Sequence, residues 1–231
     1  MNELADGLTI VHADDVAPSS WKNGGGVTRE LMRMPLPGRA HDDWLLRISV
    51  ADIAADGPFS PFDGVTRWFA VLSGHGVDLR WPLADGGAMR KLVTPRSEPV
   101  EFDGARAPDC RLIDGPTRDL NIMVRRAGGS AVLAAAQAES PWLWSGTGRG
   151  VFTRRPAELV GAGRPRCMLS AHSLLWVADE RARDMAAWSL REIPARAETS
   201  LQTGDRAVRP VDTGPLGYWI GFTAASGDDT R

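Results

Sequence analysis

The stretch Trp21-Lys22-Asn23-Gly24-Gly25-Gly26-Val27-Thr28-Arg29-Glu30 sets an indole, an ammonium and a carboxamide beside three consecutive glycines. Glycine has no Cβ, so this backbone is free to take positive φ and to approach another segment closely. An ammonium and an amide next to an aromatic wall suit a small polar molecule. Further on, Leu46 to Val50 alternates, with Leu46, Ile48 and Val50 on one face of a strand and Arg47 and Ser49 on the other. Leu120 to Val124 repeats the pattern, with Asn121 and Met123 opposite the apolar face. Two arrangements satisfy it: a sheet whose polar face meets solvent, or a barrel whose polar face lines the interior. Inside a barrel, an arginine needs an anion or several carbonyls, because an unpaired buried charge is costly. Its planar fork matches a carboxylate bidentately. Arg67 is either a surface residue paired with Asp63 or Asp52, or a second member of the same interior site, with Trp21 or Phe59 as a wall.

Other chemistries find less support. The histidines are His12, His41, His75 and His172, none spaced as a metal pair, and no bound catalytic metal or cofactor is expected. His75, in Ser73-Gly74-His75-Gly76, reads as an exposed residue of a hairpin turn. There is no Gly-x-Ser-x-Gly elbow, phosphate loop or dinucleotide fingerprint. Cys110 and Cys167 lack an activating base nearby in sequence and read as reduced thiols. No catalytic residue is assigned.

Composition sets the frame for these residues. With 231 residues, the chain is long enough to bury a sizeable core as one large domain or two small ones. A formal net charge of −2 argues against nucleic acid or an anionic membrane as partner. The N-terminal residues carry Glu3 and Asp6 and do not read as a secretory signal, and no window approaches the ~18 apolar residues of a membrane span. A cytoplasmic protein is expected. The only lysines are Lys22 and Lys91.

Glycine and proline recur at short intervals, and short apolar runs fill the gaps. They cover 8–12, 45–51, 68–72, 77–81, 120–124, 171–178, 186–193 and 217–223. Many short strands with turns between them predict an all-β sandwich or barrel protein. Only 130–138 and 179–185 are candidates for helical turns, and the first could equally be strand. A turn at 92–102 is echoed at 201–210, as two similar halves would leave, with 127–140 as the crossing between them. The tryptophans Trp142, Trp144, Trp176, Trp188 and Trp219 read as packing residues of the second half.

The glycine motif, 44–51, Asp56-Gly57-Pro58-Phe59-Ser60-Pro61-Phe62-Asp63-Gly64-Val65-Thr66-Arg67, 72–79 and 119–126 together, in this order, resemble the HutD/Ves family of cupin-like proteins. The resemblance is close over about the first 130 residues and in outline beyond. It implies an all-β bicupin, two jelly-roll barrels in one chain with few short helices. Residues 1–130 would form the first, pocket-bearing barrel and 131–231 a second, smaller one. It further implies a carboxylate-binding regulatory component of histidine utilisation, with N-formylglutamate as the natural ligand. Arg47 and Arg67 would take carboxylates, Asn23, Ser49 and Asn121 would read the amide or formyl group, and Lys22, Trp21 and Phe59 would complete the site. Two alternatives accompany it. One is a metal-independent isomerase or hydrolase of cupin type acting on a small acid, with His75, Lys22, Asp52 or Asp56 as acid or base. The other is a stress-related protein of the Ves kind without a ligand. A homodimer is a further possibility, since uncovered edge strands invite pairing.

Overall fold

A computed structural model describes residues 2–4, 8–36, 43–84, 86–161, 166–178, 187–193 and 214–225. Within them the chain is almost entirely strand. In order come β1 (Asn2–Leu4), β2 (Leu8–His12), β3 (Ser19–Ser20), β4 (Gly26–Pro35), β5 (Trp44–Ile53), β6 (Gly57–Pro58) and β7 (Val65–Ser73). Next are β8 (Val77–Pro82), β9 (Ala88–Val93), β10 (Val100–Asp103), β11 (Asp109–Leu112) and β12 (Thr117–Arg125). The rest are β13 (Gly129–Ala136), β14 (Gly148–Thr153), β15 (Ala157–Gly161), β16 (Cys167–Leu169), β17 (Ser173–Ala178), β18 (Trp188–Glu192) and β19 (Gly217–Ala224). The helices among the described residues are three single 3-10 turns.

Four sheets result. Sheet I runs β10-β7-β12-β5-β4-β3, sheet II β6-β11-β8-β9, sheet III β1-β2-β17-β14-β19-β13 and sheet IV β16-β15-β18. Strand alternation explains how they stack. Leu46, Ile48 and Val50 of β5 and Leu120, Ile122 and Val124 of β12 turn one face of sheet I toward Leu133, Phe152, Leu174, Ile220 and Phe222 of sheet III, in one continuous core. The opposite face of sheet I meets sheet II around Phe69, Val71, Leu79 and Trp81. On the far side, sheets III and IV enclose Val151, Leu175, Trp188 and Trp219. Burying each such leucine, valine or phenylalanine contributes about 1.5–3 kcal/mol. The polar face of β5 and β12 therefore looks into the space between sheets I and II, and solvent lies on neither side of sheet I's centre.

Several expectations meet corrections here. Residues 130–136 are strand and not helix, because the alanine run alternates into sheet III beside β19, and most of the expected crossing at 127–140 is that strand. The turn at Ser73–Gly76 does not close a hairpin: β7 lies in sheet I and β8 in sheet II. Gly74 and Gly76 have φ of 92° and 114° and press against Pro116 O and Val93 O, so the chain can cross between sheets. β2 pairs with β17, so its pairing crosses the division expected at residue 130. The helical turn expected at 179–185 and the echo at 201–210 lie outside the described residues, as does His41. The two cysteines are free thiols.

Candidate functional site

The ladder of sheet I arranges its inner side chains in rows. One row runs Phe102, Arg67, Met123, Arg47 across β10, β7, β12 and β5. The next runs Val100, Phe69, Asn121, Ser49, Glu30, and a third Val71, Asp119, Ala51, Thr28. With strands about 4.8 Å apart, Arg47 and Arg67 stand about 10 Å from one another across β12. They flank a cavity of about 510 Å³ that opens beside the glycine motif. All eight residues singled out from the sequence, Trp21, Lys22, Asn23, Arg47, Ser49, Phe59, Arg67 and Asn121, line it.

The glycine motif builds the wall. Trp21 N–H donates to Gly26 O at 3.0 Å and Gly24 N–H to Trp21 O at 3.0 Å, closing a tight loop before β4. Gly24 takes φ 71°, and a Cβ on Gly26 would lie 2.5 Å from Asp52 O. Gly26 requires glycine for lack of room, and the positive φ of Gly24 favours it. Inside the loop, Gly25 N–H donates to Asn23 Oδ1 at 3.0 Å, and Trp21 Nε1 donates to Thr28 Oγ1 at 2.8 Å. These bonds hold the indole and the amide in place, while Lys22 stays exposed and makes no ion pair among the described residues.

Arg67 is the unusual group. It is 7% exposed, and its guanidinium lies 5.0 Å from the ring of Phe59, 5.1 Å from Phe102 and 5.8 Å from Phe62. Nη1 donates to Ser60 O at 3.2 Å and Nη2 to Asn121 Oδ1 at 3.1 Å. Its Nε is buried without a partner, and no carboxylate pairs with it among the described residues. Burial, with the nearby Arg47 cation, pulls its pKa from 12.5 down to about 10. The surface pairing with Asp63 or Asp52 is thereby ruled out. Asp52 instead takes Arg118 through Nε at 2.6 Å and also binds Arg29.

Arg47 differs. Its Nε donates to Glu30 Oε2 at 2.6 Å, and Glu30 also accepts two bonds from Arg33. These guanidiniums hold the Glu30 carboxyl below the ordinary carboxylate range, despite an opposing contribution from burial. One carboxylate thus serves two arginines. The residues lining the cavity include Arg67, Arg47 and Lys22 but no Asp or Glu.

Glu30, Thr28, Ser60, Phe62 and Met123 belong to this surroundings and were not singled out from the sequence. Phe62 was signalled by the repeated Pro-Phe of 58–62, and Thr28 and Glu30 by their i, i+2 spacing beyond the glycines. Asp119 lies two residues from Asn121 on the same face, fully buried; its Oδ2 accepts from Thr117 at 2.8 Å and its Oδ1 has no partner. Burial pushes this carboxyl well above the ordinary range. Of the acid–base candidates, Lys22 lines the cavity, whereas Asp52, His75 and Asp56 do not: His75 is exposed beside Asp114, and Asp56 Oδ1 accepts the Leu112 N–H at 2.8 Å. Among the described residues no His, Cys, Asp and Glu cluster could hold a metal ion, and no helix is long and apolar enough to cross a membrane.

A family model named HutD matches residues 13–191. The chain belongs to the HutD family. It is 37% identical over 116 residues to an uncharacterised 21.2 kDa protein in the hutC 3' region of Pseudomonas putida, half of this chain and 57% of that one. It is also 37% identical over 107 residues to protein Ves of Citrobacter koseri, 46% of this chain and 52% of that protein. These matches span about half the length of the curated relatives. The solved structure of HutD from Pseudomonas fluorescens superposes with a TM-score of 0.71 at 24% identity, over 95% of this chain and all of that one, which shows the fold. The fold is all-β and cupin-like.

Proposed function

We propose that this HutD-family protein is a small-carboxylate-binding component of histidine utilisation, built as a bicupin, and that the cavity flanked by Arg47 and Arg67 is its binding site. The observation that carries the reading is Arg67: a buried guanidinium with an unpartnered Nε and no protein carboxylate, facing a cavity lined by cations and amides. A burial that leaves a cation uncompensated is costly unless an anion joins it. A ligand carboxylate on Arg67 removes that cost. The second end of the ligand meets Arg47 or Lys22, and Asn121, whose Oδ1 is committed to Arg67, offers its amide hydrogens. N-formylglutamate has these features: two carboxylates at the ends of a short carbon chain, and a formamide on the carbon that bears one of them. The Pseudomonas putida relative, lying in a hutC 3' region, supports the pathway.

Calorimetric titration with N-formylglutamate, urocanate, glutamate and formate tests this. Two ionic contacts predict a dissociation constant between micromolar and millimolar, about 4–8 kcal/mol in all. Selective heat from one pathway acid, abolished in a folded Arg67→Met variant, is the expected result. No heat from any of the four, with the wild type folded, sinks the assignment.

A further inference from the structure

Arg67 has a second neighbour that the first cavity does not use. Phe102 stands directly across the ladder from Arg67, with its ring 5.1 Å from the guanidinium. The same ring meets Trp81 edge-on at 5.7 Å. Beyond this pair lies a separate cavity of about 380 Å³, within the size range of small-molecule sites. It opens between β9 and β10, the free edges of sheets II and I. Strand alternation decides what faces it. Val93 is fully buried, so Met89 and Lys91 share its inward side of β9, and Val100 and Phe102 share the inward side of β10. Both Lys91 and Arg106 line this cavity, and neither makes an ion pair within 4.0 Å among the described residues, although Arg106 lies close enough to Asp103 to favour its ionised form. Two acids also line it: Asp103 is held by Arg126 at 2.9 Å, and Glu101, which alternates away from Val100 and Phe102 along β10, reaches it from the side, against the cations Lys91 and Arg106.

We propose that this second cavity binds a small acid with an aromatic or branched apolar body, the body resting on Trp81, Met89 and Phe102 and the carboxylate meeting Lys91 and Arg106, and that its occupancy is felt at Arg67 through Phe102. The edges themselves argue for a small molecule over an added strand. An inward lysine on an edge strand opposes edge pairing, and antiparallel pairing of β9 with a second copy of itself about its centre sets Arg90 opposite Lys91. This site stands independently of the ligand assigned to the first cavity.

The test is a titration of the full chain with 3-phenylpropionate, followed by NMR at the Trp81 Nε1–H and the Arg67 Nε–H, assigned with Trp81→Phe and Arg67→Lys. Saturating shifts at both, with affinity about tenfold weaker in Lys91→Met and unchanged in Arg47→Ala, are expected; 3-phenylpropanol, which lacks the charge, binds more weakly. The site is overturned if millimolar probe leaves Trp81 unmoved, or if its shift survives Lys91→Met and disappears in Arg47→Ala, which places the acid in the first cavity. It is equally overturned if sedimentation shows a dimer that Lys91→Glu dissociates and that excludes the probe. A Trp81 shift with Arg67 unmoved overturns the coupling through Phe102.

Discussion

Arg67 and Arg149 are both buried arginines on inward strand faces, and both stack on aromatic rings, but their settings differ. Arg67 looks from β7 into an open cavity, where a ligand can reach its guanidinium. Arg149, on β14 of sheet III, is wholly buried with its guanidinium 4.1 Å from the Trp188 ring of sheet IV. Around it the space is taken by indoles: Trp142 is stacked between Trp144, at 5.7 Å, and Trp219, at 5.2 Å. Gly221 makes this stack possible, because a Cβ there would lie 2.5 Å from the Trp144 ring. The second half uses its arginine as a packing element, and the first holds its arginine ready for an anion. A site that stores an uncompensated charge sacrifices stability for function; the fall of the Arg67 pKa to about 10 corresponds to roughly 3 kcal/mol against its cation.

The sharpest way to break that comparison is the same substitution at both positions. Arg149→Met is expected to cost about 2–4 kcal/mol through lost cation–π contact and packing. That lowers Tm by about 5–15 °C in a chain of this size. Arg67→Met removes a buried charge that has no protein carboxylate, so Tm is expected to stay level or rise by a few degrees while acid binding is lost. Thermal melts of both variants check this. A fall at Arg67 as large as that at Arg149 would make Arg67 structural.

Glycine substitutions sharpen it at a smaller scale. Gly26→Ala forces a Cβ to 2.5 Å from a main-chain oxygen, which must move Asp52 or the loop that carries Trp21 to Asn23. It is expected to cost about 1–3 kcal/mol and to weaken acid binding as well. Gly221→Ala meets the Trp144 ring instead and should cost a similar amount of stability with binding intact. Denaturant melts paired with calorimetry separate the two.

The strand pattern and the polar face at the site were legible because a period of two is written directly into residues 46–50 and 120–124. The direction of that face was not, since alternation alone cannot say whether solvent or a second sheet lies beyond Arg47 and Ser49; sheet II lies on that side. Other strands hid for local reasons. In β4, Arg29, Glu30 and Arg33 mask the alternation with ion pairs, and in β14 Gly148 and Gly150 leave room for the Trp176 ring in place of side chains of their own. Long-range pairing was also invisible: nothing in Leu8–His12 announces that it will join β17, some 160 residues on.

That junction responds to acid. His172, at φ 59°, accepts from Arg118 Nη1 through Nδ1 at 3.1 Å, and Arg118 also binds Asp14 at 2.9 Å and Asp52. Burial, then the Arg118 charge, lowers the His172 pKa below 6.5, with Asp14 and Asp52 opposing and His12 and Arg29 also facing the cluster. A group whose pKa is depressed on folding binds protons better in the unfolded chain. Its stabilisation is therefore complete above pH 6.5 and lost as pH falls through the folded value. Asp14 and Asp52, both held below 3.8, keep their charges through that window. Tm should drop between pH 7 and 5, and His172→Asn, which tolerates positive φ, should flatten the drop. An unchanged slope in the variant would show that His172 is not the group responsible.

The smallest effect belongs to Lys22. Its ammonium is exposed at the cavity mouth, where water and salt screen it, unlike the guanidinium of Arg67. An exposed ionic contact contributes about 0.2–1 kcal/mol, so Lys22→Gln should weaken acid binding only about two- to fivefold and leave Tm unchanged. Screening gives the signature. With a Debye length of about 10 Å at 0.1 M salt, affinity in the wild type should fall between 0.05 and 0.5 M salt, and less steeply in Lys22→Gln, the remainder coming from Arg47 and Arg67. If the variant loses binding outright at all salt concentrations, the ammonium closes onto the ligand, and the mouth, not the buried guanidinium, governs affinity.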